Sequence, residues 1–227
     1  MSQTIMLEGD TSLLQASFMP PIVISDDWTI GLVDFHTYNS IPNVDENNNV
    51  IVLGEHVIEI PVGTYELEEI NETVNSILKD RENSIHFIRI HGNKNTLKCE
   101  IESDLEVDLT GPRSIAPLLG FEPQVLKANK KHVSDRPVDV VQVDDIRIEC
   151  SIAAGSFDNG RASHVIYAFY PDVPPGYKLV QRPANIIYYP ITTNVISDLK
   201  IRIVDQRNRP INFRGERITV RLHMRKT

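Results

Sequence analysis

Four carboxylates stand at every second position in one short run: Glu102, Asp104, Glu106 and Asp108. On an extended strand, residues two apart share a face. Carboxylates aligned in this way could hold a calcium ion or act as the acid and base of a hydrolase. The plainer reading is a solvated acidic face, because the glycine and spacing of a calcium-binding loop are absent. Like charges on one strand face also repel unless a basic row lies beside them. Such a row exists near the far end of the chain. Arg217, Arg221 and Arg225 recur in the last strand-like run, and Lys200 and Arg202 occupy the run before it. These nine residues form the candidate interface, either within the molecule or between copies of it.

The other reactive side chains form no constellation. His36, His56, His86, His91, His132, His164 and His223 never fall four apart, and no nucleophile elbow, phosphate loop, dinucleotide fingerprint or HExxH is present. Cys99 and Cys150 lie in alternating strand-like sequence and read as buried free thiols, since zinc would need four ligands at tighter spacing. No catalytic residue, cofactor or metal is expected, and the chain reads as a non-enzyme. The basic row lacks the interleaved aromatic platforms of single-strand binders, which leaves only non-specific contact with DNA phosphates open.

The elements that carry these residues are mostly strands. Asp198–Asp205 and Arg217–Lys226 alternate strictly and read as a closing hairpin, with Leu199, Ile201, Ile203, Ile218, Val220, Leu222 and Met224 on its apolar face. Asp26–Asn39 reads as a strand with Trp28, Ile30, Leu32 and Asp34 on one face and Val33 and Phe35 on the other. Val50–Leu53, His56–Ile60, Ser84–Ile90, Thr96–Leu109, Val138–Ile152, Ser163–Tyr170, Tyr177–Gln181 and Asn185–Ile191 are further strands. Asp158-Asn159-Gly160 is a hairpin turn signal. Thr64, followed by Glu66, Glu68 and Glu69, starts a helix over Tyr65–Lys79, and Ser114–Gly120 is a short helical turn ending at Gly120.

About eleven strands and one helix, at this turn spacing, predict a mainly all-β sandwich or barrel with a short helix inserted in its N-terminal half. The 227 residues fit one large β domain or two small ones. The boundaries read as an N-terminal arm over 1–25 and a β domain over 26–227. The latter divides at a polar, basic loop, 124–137, into 26–123 and 138–227. No signal peptide and no apolar run of the ~20 residues needed for a membrane span are visible, so the protein is expected on the cytosolic or nuclear side.

Charge is uneven along the chain. Residues 1–126 hold 6 Lys/Arg against 21 Asp/Glu, net −15; residues 127–227 hold 17 against 10, net +7. Two halves of opposite sign are expected to attract each other, within a molecule or between copies, or to face different partners.

Several runs resemble a known family. They are Pro174-Pro175-Gly176-Tyr177, Asn185-Ile186-Ile187-Tyr188-Tyr189-Pro190, Ile203-Val204-Asp205-Gln206, and Asn212-Phe213-Arg214-Gly215-Glu216 with the strand that follows. Trp28-Thr29-Ile30-Gly31-Leu32, Tyr38-Asn39-Ser40-Ile41-Pro42-Asn43 and Leu118-Leu119-Gly120-Phe121 fit the same picture. Together they are similar to the minor capsid (penton) proteins of Polinton/Maverick elements and the related adintoviruses. Asn208 stands where a glycine is expected in the last turn, and Asn also tolerates left-handed geometry.

The resemblance implies a jelly-roll β-sandwich that forms pentamers at icosahedral vertices beside double-jelly-roll major capsid proteins. It places the protein in the virion capsid, made in the host cytoplasm and assembled in the nucleus. The alternative is a non-enzymatic β-sandwich that recognises a glycan or a protein, which predicts a stable monomer with an exposed aromatic patch.

Overall fold

Alternating apolar residues drive nearly half of this chain into strands, and the strands collect into two compact units. The computed structural model describes residues 1–82, 86–140 and 142–227. Met1–Ile41 and Val143–Thr227 form the first unit, and Pro42–Gln142 forms the second. The first unit opens with β1 (Ser2–Gly9), β2 (Leu13–Val23) and β3 (Trp28–Tyr38). The second carries β4 (Val50–Leu53), β5 (His56–Glu59), α1 (Leu67–Glu82), β6 (Ile88–Gly92), β7 (Lys98–Ser103), β8 (Val107–Asp108), α2 (Ala116–Leu119), β9 (Val125–Leu126) and β10 (Lys130–Pro137). The first then resumes with β11 (Ile146–Cys150), β12 (Ser156–Asp158), β13 (Arg161–Ser163), β14 (Val165–Phe169), β15 (Lys178–Gln181), β16 (Tyr189–Pro190), β17 (Val195–Val204) and β18 (Ile218–Lys226).

The first unit is a jelly roll. One sheet has the order β1-β18-β3-β15, with β16 added on β3, and the other has the order β14-β11-β17-β2. Leaving out the β12–β13 hairpin and the two-residue β16, the strands in chain order fall as 1-8-3-6 and 5-4-7-2. That is the order of two Greek keys rolled into a sandwich. Ile30, Leu32, Phe35, Val220 and Leu222 from one sheet share a buried core with Ile148, Cys150, Leu199, Ile201 and Ile203 from the other. Each such side chain contributes roughly 1.5–3 kcal/mol on burial. The rings of Phe35 and Phe169 meet at 5.4 Å across this core.

Several expectations change here. β17 and β18 do not pair with each other: β17 lies between β11 and β2, and β18 between β1 and β3. Period-2 alternation fixes which face is buried but not which strand is the neighbour. Residues 1–25, expected as an arm, form β1 and β2, whose Ile5, Leu7 and Leu14 are buried. β3 pairs with β18 through a register shift, Leu222↔Leu32 and then Arg221↔Asp34, so Val33 is an extra residue. That bulge reverses the alternation. Phe35 joins Trp28, Ile30 and Leu32 in the core, and Asp34 turns outward to Arg221. The long strand expected over Val138–Ile152 contracts to β11, with Val141 outside the described residues.

The second unit has a three-stranded sheet, β10-β7-β6, and a four-stranded one, β5-β4-β8-β9. Helix α1 buries Leu67, Ile70, Val74 and Leu78 in a core with Ile51, Ile58, Ile90 and Ile101. Asn71 Oδ1 accepts the Ile90 N–H at 2.8 Å and Asn75 Nδ2 donates to the Ile88 carbonyl at 2.7 Å, which fastens the helix to β6. The strand expected from Ser84 begins at Ile88, and Ser84 and Ile85 lie outside the described residues. The expected loop 124–137 is β9 and β10. Only Ser134 of β10 is buried, so this edge strand carries no apolar alternation from which to read it. Gly120 closes α2 at φ 78° as a left-handed cap, with the Phe121 N–H on the Ala116 carbonyl at 2.9 Å. At the β12–β13 turn Asn159 and Gly160 take φ 49° and 79°, the two positive values of a tight hairpin.

Candidate interaction surface

The basic row of β18 sits on the outer face of the first sheet, between strands that supply acids. Antiparallel register sets Glu8 opposite Thr219, Met6 opposite Arg221 and Thr4 opposite His223 on one side, and Asp34 opposite Arg221 on the other. The Arg217 guanidinium bonds Glu8 and holds its carboxyl below the usual range. Arg221 Nη1 lies 3.3 Å from Oδ2 of the buried Asp34, and His36 Nε2 lies 3.6 Å from its other oxygen. Arg225 stacks its guanidinium 3.8 Å over the Tyr188 ring, and the Tyr188 hydroxyl is 2.8 Å from His223 Nδ1. Lys226 Nζ reaches Asp27 at 3.2 Å. Much of the row is therefore neutralised from inside the unit.

Lys200 and Arg202 belong to the other sheet. They project outward from β17, whose apolar side faces the shared core, so they and the β18 arginines point to opposite sides of the sandwich. Arg202 donates to Glu149 Oε2 at 2.8 Å, while Lys200 stands exposed in register with Gln15.

The acidic run lies in the second unit and does not share one strand. Glu102 is on β7, Asp104 and Glu106 are in the turn, and Asp108 is on β8. Glu102 meets Arg89 at 3.4 Å. Burial opposes ionisation of Asp104, but the His86 ring at 2.7 Å and the Phe87 N–H at 2.9 Å outweigh it and hold its carboxyl low. The Thr110 hydroxyl and N–H do the same for Asp108. A general acid needs the opposite shift. Among the described residues no group of three or more His, Cys, Asp or Glu is placed to hold a metal ion. Cys99 and Cys150 are buried and free, and burial pushes their thiols up to about 12 and about 11.

Glu100 was hidden in the sequence between the core residues Cys99 and Ile101. It is a buried carboxylate bound by Lys131, by His91 Nε2 at 2.8 Å and by Asn93 Nδ2 at 3.1 Å. Lys131 is the main cause of its lowered pKa. The charge polarity of the halves dissolves in the fold. The first unit holds 13 Lys/Arg and 13 Asp/Glu, net 0; the second holds 10 and 18, net −8. Glu8, Asp10, Asp26, Asp27 and Asp34 fold with the C-terminal basic strands, which cancels most of the contrast.

The runs that carry the family resemblance are structural clamps. A Cβ on Gly31 would stand 2.6 Å from the Ile187 carbonyl oxygen, so segment 185–190 can cross β3 only over a glycine. The Ile191 N–H then bonds the Trp28 carbonyl at 3.1 Å. Asn39 Nδ2 donates to the Val173 carbonyl at 2.7 Å, and the Ser40 hydroxyl to the Phe213 carbonyl at 2.5 Å. In the second unit, Asn43 bonds both the carbonyl and the N–H of Tyr65. Arg214 and Gly215 turn with φ 55° and 77°, and Asn208 takes φ 61°. The buried Asp205 carboxylate accepts the N–H groups of Arg207 and Arg209 at 2.9 and 2.8 Å.

No family profile matches this sequence, and neither does any curated protein. A solved structure does: the crystal structure of the selenomethionine-labelled penton protein of mavirus. It is 12% identical, and the match covers 100% of this chain and 99% of that chain, with a TM-score of 0.50. This chain shares its fold with a viral penton protein. The likeness runs end to end and agrees with the jelly-roll order of the first unit. No helix among the described residues is long and apolar enough to cross a membrane.

Proposed function

We propose that the chain is a structural capsid subunit of the penton type, which closes the five-fold vertices of an icosahedral shell. The observation that carries this reading is the end-to-end match to the mavirus penton protein, which takes in the second unit as well as the jelly roll. Its partners are four further copies of itself and a double-jelly-roll major capsid protein, and its place is the virion, assembled in the host nucleus. The motifs around Gly31, Tyr188 and Gly215 support assignment to Polinton or adintovirus elements. Closed rings use heterologous contacts, in which unlike surfaces of neighbouring copies meet. Lys200, exposed on the outer face of β17, and the acidic second unit are surfaces of unlike charge suited to such a contact. Negative-stain microscopy of the purified protein tests this reading. Rings with five-fold symmetry support it, and single particles of one chain oppose it.

One observation favours the second reading, a binding module for a glycan or protein. Tyr170 and Tyr177 are 73% and 65% exposed at the ends of the proline-rich loop between β14 and β15. Exposed tyrosines of this kind are common in recognition surfaces.

A further inference from the structure

A sheet edge is a row of unpaired backbone groups, and folded proteins usually block it with prolines, bulges, short strands or charges. Three of the four jelly-roll edges are blocked in this way. β2 carries Pro20 and Pro21 and a register shift opposite Ile196 and Asp198. β14 is five residues long, has a register shift against β11 and is followed by Pro171. β15 is four residues long, between Pro175 and Pro183.

β1 is different. It reads Ser2-Gln3-Thr4-Ile5-Met6-Leu7-Glu8-Gly9, without proline, lysine or arginine. It holds eight consecutive pairs with β18 and no bulge. Among the described residues no other strand pairs with its second edge. Ile5 and Leu7 point into the core, and Met6 on the outer side is 57% exposed.

We propose that the free edge of β1 is a docking site for an extended segment of another protein, added antiparallel or parallel as one more strand. Main-chain hydrogen bonds would hold it, and its alternate side chains would select it. Inward positions of the segment lie beside Ile5 and Leu7 and take apolar residues. Outward positions lie beside Ser2, Thr4, Met6 and the Arg217-bound Glu8, one strand away from the basic row of β18. Arg225 in that row pairs with no carboxylate among the described residues. Carboxylates at the outward positions complement it. A second copy's β1 offers one outward carboxylate, Glu8, which is already bound to Arg217. The charge pattern therefore favours an acidic, alternately apolar segment over self-pairing. This inference stands apart from the capsid reading, because it concerns the jelly-roll edge in any assembly.

The probe is a fluorescein-labelled octapeptide in which valine alternates with threonine and glutamate, titrated with the full chain and followed by anisotropy. Two derivatives are N-methylated, one at every valine and one at every threonine and glutamate. Alternate residues aim their N–H groups at opposite edges of a strand. Strand addition uses one edge only. One derivative is expected to bind within about threefold of the parent, and the other to weaken by about tenfold or more. Equal binding of both derivatives overturns the proposal, as does no binding of the parent at roughly millimolar concentration. A dimer of the free protein that the peptide dissociates also overturns it, since the occupant would then be a second copy.

Discussion

Arg221 on β18 and Asp34 on β3 are partners across a bulge, with Nη1 and Oδ2 3.3 Å apart and the carboxylate buried. The pairing exists only because Val33 is an extra residue, which turns Asp34 away from the core. A buried carboxylate that loses its cation is costly, although the half-exposed guanidinium softens the effect through solvent. Arg221→Ala is expected to lower stability by about 1–3 kcal/mol, and Asp34→Asn in the same chain to recover part of that loss. Urea unfolding of the two single variants and the double variant checks this, and additive losses would rule out coupling. Arg221 is thus a poor probe of assembly, because its charge reversal strikes the monomer.

Gly120 and Gly215 both have positive φ, but they should respond differently. A Cβ at Gly120 would stand 2.3 Å from the Arg136 carbonyl oxygen, whereas nothing lies within 4 Å at Gly215. Gly215→Ala is expected to cost about 1 kcal/mol, the conformational penalty alone. Gly120→Ala should cost more than twice as much, since backbone must also move. Thermal melts of both compare the two terms, and equal shifts would contradict the close contact.

Stability should fall in acid partly through Asp205. Burial alone would raise its pKa, but the N–H groups of Arg209 and Arg207 and the Arg209 guanidinium hold the folded value below the usual one. A group depressed in this way stabilises the fold fully above its unfolded pKa of about 3.9, and that contribution is lost as pH falls through the folded value. Asp205→Asn should therefore destabilise by about 1–3 kcal/mol at neutral pH, and by progressively less as the pH falls through the folded value. A penalty independent of pH would show that the carboxylate charge is not what stabilises the 205–209 turn.

Both thiols should resist a disulfide reagent in the native state. Cys99 and Cys150 are buried, with pKa values pushed up to about 12 and about 11, so little thiolate exists at neutral pH. Reaction is expected only on the timescale of unfolding, with two equivalents released in denaturant. Rapid labelling of the folded protein would place one of them at the surface.

The elements legible in the sequence were those whose signal is local. The Asn159-Gly160 turn, the Gly120 stop and the 3.6-residue spacing of α1 each depend on neighbours in the chain; the turn and the stop fall where their residues predict, and the helix expected over Tyr65–Lys79 runs from Leu67 to Glu82. Partners were not legible. The alternation of β17 and β18 is the same whether they pair with each other or line one core from opposite sheets, so the single basic face expected from Lys200, Arg202, Arg217, Arg221 and Arg225 is two. The Val33 bulge leaves no mark in residue type, and it decides which side Asp34 and Phe35 take. β10 was invisible because an edge strand with one buried residue has no apolar rhythm. Contrast between acidic and basic halves misled for the same reason: Glu8 and Arg217 are far apart in sequence and bonded in space.

The capsid reading predicts self-assembly, and the mass of the purified protein in solution tests it most directly. Light scattering at low and moderate salt should find a species of about five times the 25.7 kDa chain mass, with ring contacts between charged surfaces weakening as salt screens them. A single 25.7 kDa species at every concentration and salt would contradict the account and favour the binding module.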